Sequence, residues 1–310
     1  MAIKMAKICL DPGHDRAKYN RSPVVTKYYE GQRMWDLSLL LKAELELRGM
    51  EVVMTKSKVD QTVGLTARGK MAQDCALLLS LHSDAADRET PNWVSALYQV
   101  NDYCGPMDTK SRELGGLLAE AVSKLMGVGS RMVARESVSD RDGNGYKDDY
   151  YGVLRGAHQV RTPAVILEHG FHTNIACTKW LLEDENLQKL AQVEADVIVQ
   201  WVQKQTTNSQ REFVCQIQQA IGAVVDGIPG PETIGKTVTL SKMINRRHPA
   251  VKVVQQRLYD LGYVQVGKVD GVAGPKFADA VMAYQEDHRC VNDGEITARN
   301  KTWRCLLGLE

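Results

Sequence analysis

Ile8-Cys9-Leu10-Asp11-Pro12-Gly13-His14 is an apolar run that stops at Asp-Pro-Gly and is followed at once by a histidine. Residues that favour extended backbone, cut off by Pro-Gly, mark a strand running into a loop. The histidine then stands just past the strand's end, the edge where open α/β sheets gather ligands. Two later stretches repeat this design. Cys75-Ala-Leu-Leu-Leu-Ser-Leu81 runs into His82, and Pro163-Ala-Val-Ile-Leu ends on Glu168, with Gly170 and Phe171 beyond. Neither alternates apolar with polar residues, as expected of strands covered on both faces in a parallel sheet.

Helical and extended patterns alternate between these strands. Met34, Leu37, Leu41 and Leu45 recur at helical spacing over residues 32–48, and Gly49 closes the helix. Residues 51–55 read as a strand, 65–74 as a short helix carrying Arg68, 94–100 as a strand, and 111–126 as a long helix. A polar, glycine-rich loop covers 137–149, and 181–203 is mostly helix. The expected fold is α/β, a mostly parallel sheet flanked by helices.

Parallel strands would bring His14, His82 and Glu168 to one sheet edge, with Glu30 at the mouth of the first long helix. Two histidines and one carboxylate, with a coordination position left open, make a catalytic zinc set. A second carboxylate beside it would serve as general base. Glu30 and Glu168 compete for these two jobs, and spacing does not separate them.

The bulk numbers narrow the class. A chain of 310 residues suggests two domains, and a formal charge of +1 gives no pull toward nucleic acid. No apolar run reaches the roughly 18–20 residues that span a bilayer. The opening Met-Ala-Ile-Lys-Met-Ala-Lys has no apolar stretch of signal-peptide type, so synthesis in the cytoplasm is expected. The seven cysteines, Cys9, Cys75, Cys104, Cys177, Cys215, Cys290 and Cys305, are odd in number and lack CxxC spacing, which argues against a disulfide framework or a thiolate zinc cluster.

The texture changes near residue 205. A polar stretch at 205–211 reads as a linker between a catalytic domain at 1–204 and a small helical domain at 212–310. In the latter, Val225-Asp-Gly-Ile-Pro-Gly-Pro is echoed by Val269-Asp-Gly-Val-Ala-Gly-Pro and, more weakly, by Asn292-Asp-Gly-Glu with Thr302 and Trp303. The Asp-Gly turn itself needs only a structural reason, since Gly supplies positive φ and Asp caps the turn.

These motifs carry a resemblance. Leu10-Asp-Pro-Gly-His14, Glu30 before its leucine helix, Leu65-Thr-Ala-Arg68, Ser80-Leu-His82-Ser-Asp-Ala85, Gly152-Val-Leu-Arg155 and Pro163-Ala-Val-Ile-Leu-Glu-His-Gly-Phe171 with Asn174 follow one another in order. Over residues 6–203 the chain resembles the zinc-dependent N-acetylmuramoyl-L-alanine amidase family (amidase type 3), which cleaves bacterial peptidoglycan. The resemblance implies that His14, Glu30 and His82 hold Zn2+ and that Glu168 is the catalytic carboxylate. Three positions depart from the family pattern: Asp15-Arg-Ala-Lys after His14, Asp84 where Asn is usual, and His169 where a small or apolar residue is common. Residues 251–307 resemble the peptidoglycan-binding domain type 1 family, and 212–240 look like half of another copy. The implied partner is bacterial peptidoglycan, with no nucleic acid or membrane, and the expected setting is a phage or prophage endolysin. A host autolysin, a sporulation amidase, a stem-peptide peptidase on the same metal set and an inactive wall-binding protein are the alternatives.

Several features are expected to be structural. His158, His169 and His172 lie close to the candidate site in sequence, and His169 is the one best placed to contact it. Asp140-Arg-Asp142-Gly-Asn144-Gly145 resembles the start of a calcium loop, but its twelfth position is Tyr151, so a surface turn is expected. Arg246-Arg-His248 is expected to be a solvated patch, and Cys9 and Cys75 small hydrophobes in buried strands.

Overall fold

The computed structural model describes residues 6–100, 107–141, 143 and 145–310. Cys104, Asp142 and Asn144 lie outside the described residues. The chain divides into two compact units at Val202/Gln203.

In the first unit, β1 (Lys7–Pro12), α1 (Glu30–Leu47), β2 (Glu51–Met54), α2 (Leu65–Lys70), β3 (Leu77–Asp84), β4 (Trp93–Tyr98), α3 (Met107–Met126), β5 (Gly129–Ala134), α4 (Gly152–Gln159), β6 (Ala164–Phe171) and α5 (Ile175–Leu182) follow in turn. The sheet order is β2-β1-β3-β6-β4-β5. β2, β1, β3 and β6 are mutually parallel, while β4 runs antiparallel to β6 and carries β5 parallel to itself. The C-terminal ends of β1, β3 and β6 therefore share one edge.

The strand patterns explain the layers. Alternate side chains point to opposite faces. On one face Ile8, Leu10, Leu77, Leu79, Leu81, Val165 and Leu167 pack with Leu37, Leu41 and Leu45 of α1 and Leu114 and Leu118 of α3. On the other, Cys9, Leu78 and Ile166 pack with Val153, Leu154 and Ala157 of α4. Edge strand β5 is mostly exposed and has no apolar alternation, so periodicity does not reveal it.

The stretch at 205–211 is not an irregular connection. It lies inside α6 (Asp184–Ile221). Lys204-Gln-Thr-Thr-Asn-Ser-Gln-Arg211 has no Gly or Pro to break a helix already propagating into it, and an apolar period is needed for packing rather than for helix formation. Early residues of α6, such as Leu187, Leu190 and Ile198, join the first core. Phe213, Val214 and Ile217 join that of the second unit.

The second unit contains α7 (Pro231–Lys236), α8 (Pro249–Asp260), a 3-10 turn (Val264–Val266), α9 (Pro275–Asp287) and α10 (Lys301–Leu306), packed around Trp303, Phe277, Val254 and Leu258. Its repeat has one mechanism used three times. A buried helix glutamine clamps each Asp-Gly turn. Gln218 donates to Asp226 Oδ1 (2.7 Å), Gln255 to Asp270 Oδ1 (3.0 Å) and Gln285 to Asp293 Oδ1 (3.0 Å). Each Gln Oε1 accepts the turn glycine's N–H, from Gly227, Gly271 and Gly294 respectively. The weak third copy at Asn292-Asp-Gly is thus as fully clamped as the other two. Among the described residues, no helix is long and apolar enough to cross a membrane.

Candidate functional site

His14, Glu30 and His82 converge at the shared sheet edge, where one ligand atom from each lies within 4.8 Å of the others. His82 ends the apolar part of β3. His14 follows β1 with φ at +63°, a left-handed conformation that costs a non-glycine residue energy. The fold holds it there through its carbonyl, which accepts hydrogen bonds from the Lys56 ammonium and from Arg68 Nη2 (3.2 Å). Arg68 in turn lies 3.6 Å from buried Asp11, which also accepts from Ser80 Oγ (2.7 Å). Burial and the neighbouring Arg68 push the Lys56 ammonium down to about 8.

Two glycines permit the convergence. A Cβ on Gly13 would meet His82 Cε1 and the Leu81 carbonyl at 2.6 Å, and one on Gly31 would meet the Arg16 carbonyl at 2.0 Å. The loop after His14 can therefore lie on the first turn of α1, beside Glu30.

Glu30 is 1% exposed and fully engaged. Oε1 pairs with His82 Nδ1 (2.9 Å) and accepts from the Ser83 N–H (3.1 Å). Oε2 pairs with His14 Nε2 (2.8 Å) and accepts from Asn20 Nδ2 (2.8 Å). Burial alone would raise this carboxyl, but the hydrogen bonds and charge of His14 and His82 hold it well below the usual carboxylate range. Burial lowers His82 while Glu30 raises it, and the balance stands at about 9. A permanently ionised carboxylate between two imidazoles is a donor set for a divalent cation that accepts N and O ligands. The site residues fit such an ion.

Glu168 stands directly across the β3–β6 pair from His82, so the two side chains share a face of the sheet. Its Oε2 is shut off from solvent and has no hydrogen-bond partner. Burial pushes the carboxyl up to about 8; His82 and Arg131 oppose the shift, and the Glu30 and Asp84 carboxylates reinforce it. A carboxyl poised near neutral pH can both take and give a proton.

The other histidines have structural partners. His158 pairs with Asp149 (2.9 Å). His172 stacks on Tyr28 and donates Nδ1 to the Ser83 carbonyl (2.9 Å), which leaves it 3.9 Å behind Glu30. His169 points to the opposite face of the sheet from Glu168, where its Nε2 pairs with Glu194 (2.8 Å) and its Nδ1 donates to the His82 carbonyl (2.9 Å). It touches the backbone of the site, not its open side. Asp140 spends its carboxylate on the N–H groups of Gly143 and Gly145, closing a turn.

Sequence reasoning did not single out Lys56, Tyr19 or Asn20. Tyr19 stacks on the His14 ring at 4.5 Å, and Asn20 bridges His14 and Glu30. Only Lys56 had a readable signal, since it follows a strand that ends at the same edge.

Residues 8–200 match the family model described as N-acetylmuramoyl-L-alanine amidase. Residues 247–306 match that of a peptidoglycan binding domain. No curated protein matches the chain. Among solved structures, it resembles the catalytic domain of CwlV, an N-acetylmuramoyl-L-alanine amidase from Bacillus (Paenibacillus) polymyxa var. colistinus. The TM-score is 0.52 at 21% identity, over 64% of this chain and 99% of that one. An N-acetylmuramoyl-L-alanine amidase from Clostridium difficile 630 gives 0.52 at 20% identity, over 64% and 97%. At these identities the likeness to the solved structures is one of fold.

Proposed function

The chain belongs to the N-acetylmuramoyl-L-alanine amidase family, and from that premise we propose that it is a zinc-dependent endolysin whose metal ligands are His14, Glu30 and His82 and whose proton-transfer residue is Glu168. The bond cut joins the lactyl group of N-acetylmuramic acid to the L-alanine of the stem peptide in bacterial peptidoglycan. The observation that carries the reading is the pairing of a saturated, ionised Glu30 with an unsatisfied Glu168 across one strand pair.

When bound, Zn2+ lowers the pKa of water and polarises the scissile carbonyl. The chain's own residues do the rest. Lys56 and Arg68 fix the His14 peptide, and Asn20 and the Ser83 N–H fix the Glu30 carboxylate, so the ligands need little reorganisation. Glu168 takes a proton from the attacking water and delivers it to the leaving nitrogen of L-alanine. Burial raises its carboxyl above the ordinary range in the metal-free protein, which suits it to hand the proton on to the leaving nitrogen.

We assign residues 1–204 to catalysis and 212–310 to wall binding, the latter supported by the family match at 247–306. Holding the catalytic unit on an insoluble substrate raises its effective concentration there. The endolysin setting, in which the protein is made in the cytoplasm and released to the wall, is proposed with a host autolysin or sporulation amidase as the alternative. Digestion of purified peptidoglycan, with and without a zinc chelator, tests the reading. New N-terminal L-alanine without new reducing sugar ends, lost on chelation and restored by zinc, is expected. A new amino terminus inside the stem would make the protein a peptidase instead. Lysis of cells only when a membrane-pore protein is co-expressed is the expected sign of the endolysin setting, and lysis without one would contradict it.

A further inference from the structure

Cys290 and Cys305 sit fifteen residues apart in sequence with their sulfurs 3.8 Å apart. Cys290 lies just past α9, where its N–H donates to the Gln285 carbonyl (2.8 Å), and Cys305 lies within α10. The segment between them holds the third clamped turn, Asp293-Gly294, and Ile296, which bridges to Leu240. Both backbones are thus fixed by independent contacts, and the thiols approach each other without any claim on the chemistry of the catalytic unit.

We propose that Cys290 and Cys305 are a modification site, oxidised to an intramolecular disulfide that staples the third repeat of the C-terminal unit. The oxidant is a disulfide compound, either a low-molecular-weight disulfide or a protein dithiol in its oxidised form. Cys290 is half-buried and meets the oxidant first, whereas Cys305 is 8% exposed. Burial and the adjoining Cys290 push the Cys305 thiol up to about 11, which disfavours it as the first attacker. The Cys290 thiolate attacks one oxidant sulfur, forming a mixed disulfide and expelling one thiol. The Cys305 sulfur then attacks the Cys290 sulfur and expels the second thiol. Two protein thiols are oxidised, one oxidant disulfide is reduced to two thiols, and the two protein protons end on those thiols.

The consequence is local. A cross-link closing a loop of about 15 residues removes freedom mainly from the unfolded chain. For a unit of this size it should raise the thermal midpoint by about 10 °C. Cys9 and Cys75 also lie beside each other, but Cys9 is fully buried in β1 and is not the expected reactant.

The test uses the full chain, equilibrated with oxidised glutathione and digested under non-reducing conditions. A peptide joining Cys290 to Cys305, with a calorimetric transition raised by about 10 °C and returned by dithiothreitol, is expected. Cys290→Ser and Cys305→Ser should each abolish both the cross-linked peptide and the shift, so that neither variant's midpoint changes between oxidised glutathione and dithiothreitol. Glutathione remaining on Cys290 alone, a cross-link at other cysteines, or a cross-link that lowers the midpoint would overturn the proposal.

Discussion

The sheet edge of the first unit and the Asp-Gly turns of the second both hold buried polar side chains, and they hold them differently. Gln218, Gln255 and Gln285 are nearly inaccessible and meet the N–H, carboxylate and carbonyl groups of their turns. The device recurs three times with the same bonds to the Asp carboxylate, the Gly N–H and a turn carbonyl, and the first and third copies add the Asp N–H and a Thr hydroxyl. At the sheet edge Glu30 is equally saturated, yet Glu168, one strand pair away from it through His82, keeps an orphaned oxygen. Burying a polar atom without a partner costs about 1–3 kcal/mol. Among the described residues Asn92, Trp93, Glu194 and Arg257 also keep a buried polar atom without a partner; Glu168 is set apart by its place directly across the strand pair from His82.

The largest way to break this comparison is His82→Ala, which removes a proposed ligand and one of the two imidazoles holding Glu30 ionised. Loss of bound zinc together with a fall in hydrolysis of at least about a thousandfold is expected, read from metal analysis and release of N-terminal L-alanine. Retention of a full equivalent of zinc would remove His82 from the ligand set. A smaller effect is expected from Lys56→Met, which deletes a donor to the His14 carbonyl and leaves all three proposed ligand side chains in place. Zinc affinity, measured by chelator competition, should weaken about 10–100-fold.

Gln285→Ala tests the other side of the comparison. It strands the Asp293 and Gly294 N–H groups and should destabilise the second unit by about 3 kcal/mol, with hydrolysis of soluble muropeptides unchanged. An equal loss of catalysis would mean that the clamps are not confined to folding.

The pH dependence of the metal-free protein is the subtlest. Glu168 stands at about 8, above its ordinary value, so its contribution is complete below about pH 4.5 and is lost as pH rises through 8. His82, at about 9, contributes below about 6.5 and loses that contribution as pH rises through 9. Glu30, held low, acts oppositely and costs stability only as pH falls. The thermal midpoint of chelator-treated protein should therefore decline from pH 6.5 to 9, and decline less in Glu168→Gln.

Much of the site was legible because His14, His82 and Glu168 each terminate an apolar strand, and parallel strands end together. The separate duties proposed for Glu30 and Glu168 were not readable from spacing and come from the family resemblance. The structure adds a physical reason to expect the division, one carboxylate saturated and the other not. Less could be read where a residue acts through the backbone. Lys56 is marked only by following a strand that ends at the shared edge, and the clamp glutamines look like surface residues of amphipathic helices until the turns fold onto them. The reversed direction of β4 and the exposed β5 carry no periodic signal. The polar run at 205–211 shows the converse error, because absence of an apolar face does not end a helix.

The measurement that goes straight to the division of labour compares Glu30→Gln with Glu168→Gln, scoring zinc content and peptidoglycan hydrolysis on the same preparations. Glu168→Gln should keep a full equivalent of zinc and lose at least about a hundredfold in hydrolysis, whereas Glu30→Gln should lose both. If Glu168→Gln hydrolyses the wall at the parent's rate, or if Glu30→Gln binds zinc as the parent does, the two carboxylates do not have the roles assigned to them.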